Sequence, residues 1–198
     1  MSNFKVKDHF YTKAKQENFL ARSIYKLEEI DERFKVLKAG DKVVDFGYYP
    51  GSWIQYTSQK IGDKGTVVGI DIQEVNKKLT GIKNVRVYQK SIFDVTDLTH
   101  LGVEGLFDVV LSDMAPSTTG IKSVDQARSL ELVESVFGIL PRFLRPGGNF
   151  VIKVFESQDA QDYLKAQKAL FSEIHYLRPK STRSVSKEFF VIGKNFKA

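Results

Sequence analysis

Asp45-Phe46-Gly47-Tyr48-Tyr49-Pro50-Gly51-Ser52-Trp53 follows the apolar pair Val43-Val44 and runs into Ile54-Gln55-Tyr56. The apolar pair reads as part of a short buried strand, and the residues after Trp53 can begin a helix. Between them, Gly47 and Gly51 permit a tight turn and let a ligand approach the backbone closely. The helix behind the turn offers unpaired N–H groups to an anionic group such as a carboxylate. Strand, glycine-bearing turn and helix in this order predict the cofactor loop of a nucleotide-type α/β domain.

Upstream of that loop, Leu20, Ile24, Leu27, Ile30 and Phe34 recur every three or four residues and predict an amphipathic helix over Phe19–Phe34. Downstream, strands are expected at Thr66–Asp71, Asn84–Gln89, Phe107–Ser112 and Asn149–Phe155, after a first strand at Lys42–Phe46. Ile174–Leu177 and Glu188–Ile192 read as late strands, placed as a hairpin pair. Helices are expected at Ser52–Ile61, Val124–Leu144 and Asp159–Phe171, with Arg145-Pro146-Gly147-Gly148 as a turn. Strands alternating with helices predict a mainly parallel sheet covered on both faces.

With 198 residues the chain is expected to form one domain over residues 16–198, preceded by a basic arm over residues 1–15. No apolar run reaches membrane-spanning length, and the first fifteen residues lack the apolar centre of a signal peptide. With no cysteine, disulfides, thiolate metal sites and a cysteine nucleophile are excluded. These features together favour the cytoplasm. His9, His100 and His175 are far apart along the chain, so no metal is expected. The net charge is +6, and its distribution is uneven. Lys5, Lys7, Lys13, Lys15, Arg22 and Lys26 crowd one end, and Arg178, Lys180, Arg183 and Lys187 crowd the other. Two such segments meeting on one face would attract a polyanion.

Asp71 follows Gly51 by 20 residues, the spacing of a carboxylate that accepts ribose hydroxyls. Tyr49 stands where a dinucleotide fingerprint needs its second glycine, which weakens a nicotinamide reading. Asp-x-Gly followed by Pro-Gly-x-Trp fits a cofactor with an amino-acid end and a ribose but no pyrophosphate. S-adenosylmethionine has that shape, so methyltransferase ranks ahead of dehydrogenase. Lys153 lies within the apolar strand Phe150-Val151-Ile152-Lys153-Val154-Phe155. Burying a lysine is costly unless it is paired, so it is either an edge residue facing water or a partnered functional amine. The apolar neighbours on both sides favour the amine. By spacing alone, Asp113 reads as a turn cap, Glu188 as a surface charge and Lys26 as a solvent-facing helix lysine.

In this order, Ala21-Arg22-Ser23-Ile24-Tyr25-Lys26-Leu27, the Asp45–Trp53 loop, Ser112-Asp113-Met114-Ala115-Pro116, Pro146–Phe155 and Ser184-x-Ser-Lys-Glu188 resemble the FtsJ/RrmJ family of ribose 2′-O-methyltransferases. The resemblance spans Tyr11 to Phe196. It implies a Rossmann-like fold with a seven-stranded, mostly parallel sheet and a catalytic tetrad of Lys26, Asp113, Lys153 and Glu188. It implies cofactor contacts at Gly51, Trp53, Asp71 and Asp113, beside Gly47 of the turn. It also implies a monomer acting on ribosomal RNA or the large ribosomal subunit, with a uridine as the target. Ser91 stands where the family has an aspartate near the adenine, with Asp94 as a stand-in if the register shifts. Tyr48-Tyr49 and Ser52 replace small residues and a glycine. These departures leave a second reading: an RNA-binding assembly factor that kept the fold and lost cofactor affinity. The role of Lys153, proton acceptor or orienting donor, stays open at this point.

Overall fold

Val43 and Val44 pack into opposite hydrophobic clusters, as do Val67 and Val68, Val109 and Val110, and Val151 and Ile152. Consecutive side chains of a strand point to opposite faces, so strands apolar at every position are buried on both. In the computed structural model, which describes residues 9–98 and 101–197, these strands form the centre of one sheet. Lys5, Lys7 and His100, named above, lie outside the described residues.

The elements run α1 (His9–Gln16), α2 (Ile24–Phe34), β1 (Lys42–Phe46), α3 (Ser52–Ile61), β2 (Thr66–Asp71) and β3 (Val85–Gln89). They continue with β4 (Phe107–Ser112), α4 (Lys122–Phe143), β5 (Leu144–Phe155), α5 (Gln158–Gln167), β6 (Phe171–Leu177) and β7 (Glu188–Phe196). The sheet order is β3-β2-β1-β4-β5-β7-β6. All neighbours are parallel except β7, which runs antiparallel to both β5 and β6. Strand order reverses between β1 and β4, so a crevice opens beyond the carboxyl ends of these strands. No helix among the described residues is long and apolar enough to cross a membrane.

One cluster joins the sheet to α4 and α5 through Val136, Phe137, Leu140 and Leu164. The other joins it to α2 and α3 through Leu27, Ile30, Trp53 and Ile54. Each large apolar side chain buried in these clusters contributes about 1.5–3 kcal/mol. Asp31, 5% exposed, ties α2 to its surroundings: Oδ1 accepts from Leu37 N–H at 2.9 Å and Oδ2 from the Tyr56 hydroxyl at 3.1 Å.

Four elements differ from the sequence reading. The helix expected over Asp159–Phe171 ends at Gln167, a 3-10 turn follows over Lys168–Leu170, and Phe171 opens β6. The stretch Phe19–Ser23 is not helical, and α2 begins at Ile24. Leu20 N–H donates to Gln55 Oε1 at 2.8 Å, a tertiary bond in place of an intrahelical one. Arg145–Gly148 belongs to β5 instead of forming a separate turn. Leu144 pairs with Phe107, the register then shifts, and Asn149 resumes pairing at Val109; Gly147 takes φ +76° inside this irregularity. Residues 9–16, assigned by sequence largely to a basic arm, form the helix α1, whose Ala14 is 3% exposed.

Candidate active site

Three carboxylates gather at the carboxyl ends of neighbouring strands. Asp45 is the penultimate residue of β1, Asp71 closes β2, and Asp113 follows β4. Asp71 and Asp113 line a cleft of about 450 Å³, together with Gly47, Tyr49, Ser91 and Phe93. Asp71 accepts from Tyr49 N–H at 3.0 Å and from Gln73 N–H at 2.9 Å, one bond to each oxygen. An ionised carboxylate has about four acceptor positions, so two bonds leave it capacity for hydroxyl groups. Ile72 and Phe93, 67% and 59% exposed, form apolar lips suited to a planar ring.

Gly47 has φ +77°, and a Cβ on it would lie 2.3 Å from Met114 Cγ. Any side chain there would collide with the wall carrying Asp113. Tyr48 and Tyr49 separate. Tyr48 is 3% exposed and its ring occupies the space above Gly69 of β2, where a Cβ would sit 2.8 Å from Tyr48 Cδ1. Tyr49 is 50% exposed and stands at the cleft. The two rings therefore do not fill the crevice.

Ser91 caps a 3-10 turn at Ile92–Asp94, its Oγ accepting from Phe93 N–H at 3.3 Å. The cleft lining runs through Ser91, Ile92 and Phe93, and Asp94 is not part of it. Gly51 and Trp53 also stand outside the lining. Gly51, at φ +115°, admits Leu79 against the backbone, since a Cβ would lie 2.4 Å from Leu79 Cδ1. Trp53 is 2% exposed, donates from Nε1 to Ser23 O at 2.8 Å, and packs 5.8 Å from the Phe190 ring. Ser52, in place of a glycine, meets Ser23 Oγ at 2.8 Å. Trp53 and Ser52 thus brace the start of α2, which carries Lys26.

Lys153 and Phe190 are register partners on β5 and β7, so their side chains share a face. Glu188 lies two residues before Phe190 and shares that face as well. Lys26 reaches in from α2: its Nζ is 2.5 Å from Glu188 Oε1 and 5.7 Å from the centre of the Phe190 ring. Lys153 Nζ is 3.0 Å from Asp113 Oδ1 and 2.6 Å from Asp113 O. All four side chains are poorly exposed, between 8% for Lys153 and 17% for Asp113. Two ion pairs thus flank Phe190, and Asp113 belongs both to one pair and to the cleft.

Asp45 is a residue the sequence reading did not single out. It is 1% exposed, and neither carboxyl oxygen has a hydrogen-bond partner. Burial first, then the charges of Asp113 and Asp71, push its carboxyl well above the usual range. In the sequence it served only as the first residue of the Asp-x-Gly pattern, at the end of an apolar strand and two residues before Gly47.

An open sheet reversed at β1/β4, with an antiparallel β7 and a carboxylate-lined cleft at the switch point, defines a Rossmann-like domain of the methyltransferase type. The chain belongs to the FtsJ-like methyltransferase family, whose model matches residues 19–196. It is 44% identical over 199 residues to the ribosomal RNA large subunit methyltransferase E of Bdellovibrio bacteriovorus, covering 96% of this chain and 97% of that one. The protein of the same name from Syntrophobacter fumaroxidans is 44% identical over 192 residues, with 96% of each chain covered. Among solved structures, one from Plasmodium falciparum described as a ribosomal RNA methyltransferase superposes with a TM-score of 0.77 at 27% identity, over 90% of this chain and 98% of that chain. Aeropyrum pernix fibrillarin, solved with S-adenosyl-L-methionine bound, shares the fold with a TM-score of 0.62 at 15% identity, over 80% and 68% of the two chains.

Proposed function

We propose that this protein methylates a ribose 2′-oxygen of large-subunit ribosomal RNA, with S-adenosylmethionine as the methyl donor. The observation that carries this reading is the double membership of Asp113. It joins the cleft to the Lys153–Lys26–Glu188 cluster, so a donor in the cleft and a hydroxyl at the cluster would be neighbours. The names and near-full-length identity of the relatives support the substrate class.

The cleft residues fit the donor. Its volume lies in the range of small-molecule sites. Asp71 would hold the ribose hydroxyls, the lips at Ile72 and Phe93 the adenine, and the backbone at Gly47 the amino-acid end. Asp71, whose two hydrogen bonds leave acceptor capacity toward the cleft, favours a ligand that carries positive charge. When bound, S-adenosylmethionine supplies an electrophilic methyl group on a sulfonium.

The residues of the chain then supply alignment. A lysine ammonium has three donors; Lys153 spends one on the Asp113 main-chain carbonyl and pairs ionically with the Asp113 carboxylate, so donor capacity remains for the attacking 2′-oxygen. Lys153 would hold that oxygen in line for displacement, with its proton passing to solvent water as the oxygen–methyl bond forms and the sulfur–methyl bond breaks. Lys26 and Glu188 would hold the hydroxyl and adjoining backbone from the other side of Phe190. The Lys153–Asp113 contact favours the orienting-donor role over free-base chemistry.

The alternative of an assembly factor without cofactor affinity drew on Tyr48, Tyr49 and Ser91. Tyr48 is buried against Gly69 of β2 and the cleft stays open, which supports the enzyme. Calorimetry with S-adenosylmethionine, paired with methyl transfer to ribosomal RNA from cells lacking this protein, tests the proposal. No binding, or methyl recovered on a base, would reject it.

A further inference from the structure

β7 is held unequally along its length. On one side β6 pairs with it from Phe196 back to Phe190, whose partner Leu177 closes β6. Glu188 and Phe189 therefore have a neighbouring strand on one edge only, where they pair with Phe155 and Val154 of β5. On that edge Glu156 N–H also donates to Lys187 O at 2.9 Å. Strand ends with few anchoring contacts open at little free-energy cost. Glu188 sits in this stub, and it carries one half of the ion pair with Lys26.

The missing edge is supplied by Arg178, the first residue after β6. Its guanidinium turns back across the connection to β7. Nη2 donates to Ser186 O at 2.5 Å and lies 3.4 Å from both Arg183 O and Ser184 O. One side chain thus draws together three main-chain carbonyls of the segment that delivers Glu188. A guanidinium suits this task because it spreads five N–H donors in a plane and stays charged at any working pH. Arg178, counted above among cations that attract a polyanion, is engaged with the backbone of its own chain.

The first half of the connection is anchored separately. Lys180 N–H donates to Glu29 Oε2 of α2 at 2.7 Å, the Arg22 guanidinium donates to Ser181 O, and Ser181 is buried. In the second half, Ser186 N–H donates to Arg183 O at 3.0 Å, which makes a turn within the reach of Arg178. Val185 in that turn is 86% exposed, so burial does not hold it.

We propose that Arg178 is a positioning residue for the reaction: it closes the neck of this connection and thereby holds Glu188 opposite Lys26, an inference that rests on the ribose-methylation reading above. Arg178 does not line the cleft, so its effect is carried by the backbone from Ser186 to Glu188.

Arg178 is exposed, so Arg178→Met removes the donors and leaves the core intact. In that variant the turnover number for methyl transfer to ribosomal RNA from cells lacking this protein falls by about 10–10²-fold, the cost of a displaced catalytic pair. Affinity for S-adenosylmethionine, measured by calorimetry, stays at the wild-type value. Arg178→Lys recovers most of the turnover, because an ammonium still donates to Ser186 O. A double-mutant cycle of Lys26→Ala and Glu188→Ala, read on urea unfolding, shows coupling in the wild type and loses it in the Arg178→Met background. Unchanged turnover in Arg178→Met, no recovery with lysine, a parallel loss of cofactor affinity, or an undiminished coupling overturns the proposal. An active wild type whose coupling persists in the methionine background removes the clamp alone. An inactive wild type whose coupling is lost in that background removes the methylation reading and leaves the clamp.

Discussion

Lys153 meets Asp113 twice, through the carboxylate at 3.0 Å and the main-chain carbonyl at 2.6 Å. The second contact fixes the amine to the backbone that forms the wall of the cleft. Displacement of that wall would therefore displace the amine. Lys153→Ala is expected to lower methyl transfer by about 10²-fold or more, the cost of misplacing the attacking oxygen. Lys153→Met preserves the apolar stem in β5 and should fold while showing the same loss. Single-turnover methyl transfer, with cofactor affinity measured separately, checks this; retained turnover in the methionine variant would remove Lys153 from the mechanism.

Gly47 is required for two independent reasons, its left-handed backbone and the 2.3 Å approach of Met114. Gly47→Ala should cost about 2–4 kcal/mol in stability. It should also weaken S-adenosylmethionine binding, because relief of the collision moves the Met114 wall. Urea unfolding and calorimetry measure the two effects. An alanine variant with unaltered cofactor affinity would mean that this turn does not shape the cleft.

Asp45 makes stability fall as pH rises. Its folded-state carboxyl titrates well above that of the unfolded chain. Both states are protonated below the unfolded value of about 3.9, so no penalty exists there. Above it, the unfolded chain releases a proton that the folded chain keeps, and the unfolded state gains. Asp45→Asn removes this term. The melting temperature of the variant relative to wild type should rise as pH climbs above the unfolded-chain value of about 3.9. A difference that is flat above that value would show that Asp45 is ionised in the fold.

The parts of this architecture that were legible in the sequence are those set by local rules. Val43-Val44 and Phe150–Phe155 read as doubly buried strands because apolar residues fill both parities. Asp71 was legible by spacing, and it does line the cleft. Lys153 was legible because an amine in such a strand needs a partner, and it has Asp113. The parts that stayed hidden depend on tertiary packing. The inward turn of Tyr48 is set by the missing side chain of Gly69 on the next strand, 21 positions away. The buried place of Trp53 against Ser23 depends on how α2 meets α3. That β5 begins at Leu144 depends on its pairing with Phe107.

Trp53→Phe separates two roles for that residue. The indole N–H supports Ser23 and hence the segment leading to Lys26. Losing this bond should cost about 1 kcal/mol in stability and slow methyl transfer. Cofactor affinity should stay near that of wild type, because Trp53 lies outside the cleft lining. A large loss of affinity would restore the direct cofactor contact inferred from the family resemblance.

Lys26 and Glu188 form a close pair with side chains only 13% and 11% exposed. Removing either leaves the other charge poorly solvated. A double-mutant cycle of Lys26→Ala and Glu188→Ala on stability should give a coupling of about 1–3 kcal/mol. Additive single effects would mean that the pair does not act as a unit.

The most direct test of the central claim is the position of the transferred methyl group. Large-subunit RNA from cells lacking this protein is incubated with the purified protein and methyl-labelled S-adenosylmethionine, then hydrolysed in alkali. The account predicts label in an alkali-resistant dinucleotide, the mark of a blocked 2′-oxygen, with wild type and none with Lys153→Met. Label on a base, or equal label from both proteins, would contradict it.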